Sequence, residues 1–138
     1  MKPILRSVLS VLLGAIVAGV LIACLELLGS KIFPLPPGTD PMDMEAVKAA
    51  MANVSMGALL FVLFGWFVGT IAGAWSAARV AGRAPAVHGL IVGVLLLAGG
   101  IANMLMLPHP AWFWVLGVAV FVLAAYLGSR LAARRPLG

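Results

Sequence analysis

Four stretches of the chain stay apolar for about twenty residues each, the length a helix needs to cross the hydrocarbon of a bilayer. They cover residues 8–28, 56–78, 87–107 and 112–131. Polar residues collect between and beyond them. Lys2 and Arg6 precede the first stretch, Arg79 and Arg83 follow the second, and Pro108-His109-Pro110 follows the third. Arg130, Arg134 and Arg135 close the fourth. The one long connection, residues 30–54, divides into two parts. Phe33-Pro34-Leu35-Pro36-Pro37-Gly38 cannot form helix, because closely spaced prolines lack donors and push their predecessors into extended geometry. Asp40-Pro41-Met42-Asp43 then has the form of a helix start, with Asp40 as cap, Pro41 at the first helical position and Asp43 in the first turn. Met44, Val47, Met51 and Val54 continue at helical spacing. The pattern predicts an all-α membrane protein: a four-transmembrane-helix bundle in one membrane domain, 1–138, with a short amphipathic helix before the second span.

Composition changes this picture little and supports it. Of 138 residues, 64% are hydrophobic and 9% charged. Nine basic and four acidic side chains cannot give a soluble domain of this size its polar shell, so the lipid bilayer is the expected partner. The basic residues stand singly at span ends, without interleaved aromatics, so no nucleic-acid partner is expected. Their distribution sets an orientation. Lys2, Arg6, Arg79, Arg83, Arg130, Arg134 and Arg135 fall on one side of the spans, Lys31 and Lys48 on the other beside Asp40, Asp43 and Glu45. The positive-inside rule makes the richer side cytoplasmic, with both termini inside.

The single cysteine, Cys24, excludes an internal disulfide, and no cysteine–histidine spacing suggests zinc. No metal or cofactor is expected. Leu21-Ile22-Ala23-Cys24 behind a basic start also has the form of a lipoprotein signal cleaved before the cysteine. The apolar run is long for a signal and continues through Leu25, Leu27 and Leu28, so an uncleaved span is the expectation.

Small residues recur every fourth position in all four spans: Ala15, Gly19 and Ala23; Gly65, Gly69 and Gly73; Gly89 and Gly93; Ala124 and Gly128. In lipid, helices associate by close backbone packing, which small residues permit. These stripes are expected to pack the bundle, and Gly65, Gly69 and Gly73 are also a candidate seam for a homo-oligomer or a membrane-protein partner.

Glu26 is the one acid inside a span. It shares a helical face with Ala15, Gly19 and Ala23, so it is expected to point into the bundle, about 3 Å from the outer end of the span. Asn103, about one turn from the outer end of the third span, is its expected hydrogen-bonding counterpart. His109, in the short turn between the third and fourth spans, is a third candidate for a polar pocket there, although a solvated histidine would serve as well; the same holds for His88. Trp112 and Trp114 mark one membrane interface, Trp75 and Tyr126 the other. Trp66 lies near mid-span and is expected to fill the core. The chain has no G-x-S-x-G, no H-E-x-x-H, no phosphate loop and no paired intramembrane acids, so enzymatic activity is not expected.

Glu26-Leu27-Leu28-Gly29, Phe33-Pro34-Leu35-Pro36-Pro37-Gly38-Thr39-Asp40, Gly57-Ala58-Leu59-Leu60-Phe61-Val62-Leu63, Gly100-Ile101-Ala102-Asn103 and Pro108-His109-Pro110-Ala111-Trp112-Phe113-Trp114 together resemble a group of short uncharacterised bacterial four-span inner-membrane proteins. The likeness implies a bacterial inner membrane, with the 30–54 loop in the periplasm, and no particular activity. Small multidrug-resistance transporters place their glutamate deeper than Glu26, and dual-topology fluoride channels carry a phenylalanine–threonine track that this chain lacks. Two functional classes follow from the residues. One is a non-enzymatic helix-packing homo-oligomer or accessory subunit. The other is a transporter or channel for a small solute or proton, with a pocket at Glu26 and Asn103.

Overall fold

Helix starts and stops follow from proline, glycine and capping side chains. A computed structural model describes residues 2–134. Among these it contains five helices and no strand: α1 (Pro3–Ile32), α2 (Met44–Met51), α3 (Met56–Ala81), α4 (Pro85–Met106) and α5 (Ala111–Ala133). All but α2 are long and apolar enough to cross a membrane. Arg135 lies outside the described residues.

α1 begins on Pro3, where a missing N–H costs nothing, and stops at Phe33 ahead of Pro34. Its 30 residues reach about 45 Å, beyond the roughly 30 Å of hydrocarbon, so it outruns the apolar stretch at both ends. α3 is capped by Ser55, whose Oγ accepts from the Ala58 N–H at 3.1 Å. It runs past the apolar stretch to Ala81 and ends on Gly82, in the left-handed region at φ 77°. The Arg6 guanidinium donates to Val80 O at 2.7 Å, placing a cation on the carbonyl end of α3. The start of α1 and the end of α3 therefore share one end of the bundle, the arginine end. α4 begins at Pro85 behind Ala84, which holds a left-handed φ of 42° without being glycine.

The short helix starts later than the motif predicts. Asp40 Oδ1 accepts from Met42 N at 2.9 Å and so closes a turn of its own. Asp43 is the cap: its Oδ1 accepts from Glu45 N at 3.0 Å and Ala46 N at 3.3 Å. Pro41 falls in the turn before the helix rather than at its first position.

α3 is the centre of the bundle, packing on α1, α4 and α5, while α1 also touches α4. At the α1–α3 crossing the backbones meet, because a Cβ on Gly73 would stand 2.5 Å from Gly14 O and one on Gly14 2.6 Å from Gly73 O. Gly69 receives Ile22, and Gly65 lies against Leu25. The Gly65, Gly69 and Gly73 stripe is thus occupied by α1 of the same chain, and the oligomer seam expected there is not available. On α4, Gly89 meets Ser129 and Gly93 meets Ala125, both on α5. Gly128 of α5 returns to α3 at Ile71 O and Ala74, and Ala124 is fully buried.

The packing face of α1 is Ser10, Gly14 and Ala18. Ala15 is half-buried, whereas Gly19 and Ala23 are exposed, and a Cβ on Gly19 would meet nothing within 4 Å. The stripe expected to pack sits one residue around the helix from the one that does. Ser10 carries the difference: its hydroxyl donates to Ser7 O at 2.7 Å, which lets a small polar residue lie in the core.

Candidate functional site

At the end of the bundle opposite the arginines, α1 and α4 part. Near the arginine end they lie close, with Val92 against Gly14 and with Ser7, Val11, His88 and Ile91 around one shallow cavity. At the α2 end a cavity of about 420 Å³ separates them. Glu26, Gly29, Ser30 and Phe33 line it from α1 and its end, Asn103 and Leu107 from α4 and its end, and His109 from the turn that follows. Ala58, Leu59, Phe61 and Val62 of α3 form the back, and Val47, Met51 and Val54 complete the wall. α2 reaches the cavity through the side chains of Val47 and Met51, and Met51 also packs on the buried cluster of the long helices.

The three residues singled out for a polar pocket therefore share one cavity. The route differs from the expectation. Glu26 does not point into the bundle with a small-residue stripe; it is exposed and stands at the cavity's edge. Asn103 and His109 are half-buried. No direct hydrogen bond joins Glu26 to Asn103; both line the cavity, which leaves room for the water-bridged form of the expected pairing. The other polar groups of the wall bond locally. Ser30 Oγ donates to Leu27 O at 2.7 Å, and His109 Nδ1 lies 2.8 Å from Leu107 O. A carbonyl can only accept, so Nδ1 carries the hydrogen and Nε2 is the ring atom left to meet a ligand. The ring is further held by stacking on Phe113, centroids 4.4 Å apart. The ring is thus half-buried, bonded at Nδ1 and stacked on one face.

Two aromatic residues of the site escaped the sequence reading. Phe61 sits on Gly29 and Phe33 on Gly57, each ring taking the space that a glycine leaves on the other helix. Their centroids lie 6.2 Å apart at 54°, giving the cavity an aromatic corner. The available signal was the pairing of Gly29 and Gly57 with aromatics on opposite sides of the long loop.

Below the cavity the bundle is closed. Leu59, Leu63, Trp66, Met104, Phe113 and Phe121 form one buried cluster, with Trp66 stacked on Phe121 at 5.0 Å and edge-on to Phe113 at 5.4 Å. Trp66 fills the core as expected. Thr70, one turn further along α3, is fully buried with its Oγ1 unpaired. Among the described residues, the polar side chains buried from there toward the arginine end are Thr70, Ser10, Ser129 and His88. There Trp75 and Tyr126 are exposed with Arg79 and Arg130 over their rings at 5.6 Å each, while Trp112 and Trp114 at the α2 end are half-buried. His88 is buried, with Nδ1 at 3.0 Å from Ala84 O, and is not solvated. Among the described residues no three histidine, cysteine or acidic side chains are placed to hold a metal ion. Comparison with protein-family models, curated proteins and solved structures found no match, leaving the chemistry of the cavity as the guide to its use.

Proposed function

We propose that this chain is a bacterial inner-membrane protein that binds a small solute at its periplasmic end, in the cavity between α1, α3 and α4 beneath α2. Both termini face the cytoplasm in this reading. The uneven division of basic residues supports that orientation, since the five described arginines all stand at or beyond the same end of the helices. The observation that carries the function is the meeting of Glu26, Asn103 and His109 at one cavity. At about 420 Å³ it falls within the roughly 300–1,000 Å³ typical of pockets for small organic ligands. Its wall is mainly apolar with a few polar groups, the usual composition of such sites. The buried apolar cluster beneath it supports a binding site open at the α2 end over an open channel, and any transport in this reading would require α1 or α4 to move on α3.

A thermal-shift screen of the purified chain against small amines, acids and neutral polar solutes tests the reading. Solutes that bind should raise the melting temperature of the native chain and not that of Ala58→Trp, whose indole would occupy the cavity. A screen in which the plugged and native chains respond alike would remove the basis for a pocket ligand.

One observation favours a second reading, association with another helix as a homo-oligomer or accessory subunit. Gly19 and Ala23 present an open small-residue face on α1, and a Cβ on Gly99 of α4 would also meet nothing within 4 Å. Gly19→Leu should then dissociate the assembly in mild detergent; a chain that is monomeric with or without the substitution speaks against it.

A further inference from the structure

The geometry points to an organic monocation with an apolar body, an amphipathic amine, as the class of solute held in this cavity. The inference rests on the pocket reading above and adds the ligand's charge.

It follows from which groups line the space and which do not. Glu26 is the one acidic residue of the wall, and neither lysine nor arginine lines it. Lys48, the cation of α2, is already paired with Glu45 at 2.9 Å and lies outside the lining. A carboxylate without a fixed protein cation at the edge of an apolar cavity offers its charge to a ligand. The charge of the whole end agrees. Glu26, Asp40, Asp43 and Glu45, all four acids of the chain, lie at the α2 end beside only Lys31 and Lys48, so the local field attracts cations.

The rest of the wall suits the body of such a molecule. Phe33, at the end of α1 that carries Glu26, and Phe61 of α3 form the aromatic corner, where a cation can meet ring faces as well as the carboxylate. Leu59, Val62, Met51 and Val54 supply apolar contact deeper in and beneath α2. Asn103, across the space, offers an amide that can accept from an ammonium N–H or donate to a ligand oxygen. An anion would face Glu26 with no compensating charge on the wall.

Depth fits as well. Glu26 lies about 13 Å from the midpoint of α1, and half the hydrocarbon is roughly 15 Å. The carboxylate is thus near the level where an amphipathic cation settles in a bilayer, with its charge at the headgroups and its body in the hydrocarbon.

Two aromatic probes of similar shape and opposite charge test this: benzylammonium and benzylsulfonate, titrated by calorimetry against the full chain in nanodiscs of neutral lipid. The cation should bind and the anion should not. Glu26→Gln, at an exposed position, should weaken the cation by about tenfold or more, and Ala58→Trp should abolish its binding. Binding that is blind to charge and to Glu26→Gln, yet lost in Ala58→Trp, would overturn the cation assignment and leave the pocket reading standing. Binding that survives Ala58→Trp, or no binding of either probe, would overturn both.

Discussion

One residue's step along a helix turns a side chain by about 100°, and that step separates the stripe that packs α1 from the one its small residues suggest. Ala15, Gly19 and Ala23 form the more regular small-residue stripe, but Gly14 and Ala18 meet α3, and Ser10 is buried on the same face of α1. Serine could join the buried face because its hydroxyl is satisfied inside its own helix. Thr70 is the opposite case. Its buried Oγ1 has no partner, and an unpaired buried hydroxyl costs about 1–3 kcal/mol. Thr70→Val, which keeps the shape and removes the hydroxyl, should raise stability by about 1 kcal/mol in detergent unfolding titrations. Ala84 is a second strained position. A left-handed φ of 42° costs an L-residue roughly 1–2 kcal/mol, and the following Pro85 disfavours helical geometry there as well. Ala84→Gly should gain somewhat under 1 kcal/mol, since glycine's extra freedom when unfolded offsets part of the relief. The same titration measures it.

Among the elements, the crossing of α1 over α3 is the contact that the bundle can least change. The Gly14 and Gly73 backbones approach too closely for any side chain, so Gly73→Leu should destabilise by about 3 kcal/mol or prevent assembly of the bundle. Gly19→Leu, five residues from Gly14 on the open face, should leave the isolated chain's unfolding within about 0.5 kcal/mol of the native value. Equal effects from the two would mean that α1 packs by another face. The four long helices were legible because bilayer thickness imposes one length on every span, and the loop prolines and arginines punctuate them. The packing partners were less so. A GxxxG stripe states that something comes close without saying what, and only the three-dimensional arrangement assigns Gly65, Gly69 and Gly73 to α1 and Gly128 to α3. The cap of α2 lies three residues later than expected because Asp40 and Asp43 are chemically equivalent candidates, and the turn at Pro41 chooses between them. Asp43→Ala should cost α2 about 1 kcal/mol, seen as faster amide exchange over Met44–Met51.

On the scale of the whole molecule, charge and shape divide along the same axis. At the arginine end α1 meets α4 at Gly14 and Val92, Arg6 sits on the end of α3, and cations lie over Trp75 and Tyr126. The α2 end holds the acids and the cavity. Glu26, Asn103 and His109 could be chosen from sequence because polar groups are costly near hydrocarbon and these three fall at one depth. Phe33, Phe61 and Met51 could not, since apolar residues in apolar surroundings carry no such signal. The proposed function requires this cavity to open to the outer face of the membrane. Asn103→Cys in a chain whose exposed Cys24 is replaced by alanine tests it most directly. A membrane-impermeant thiol reagent should label the introduced cysteine from outside intact cells, and Ala58→Trp should slow that labelling severalfold. Labelling that requires a permeabilised membrane, or that proceeds equally fast in the plugged chain, would rule out an outward-facing cavity.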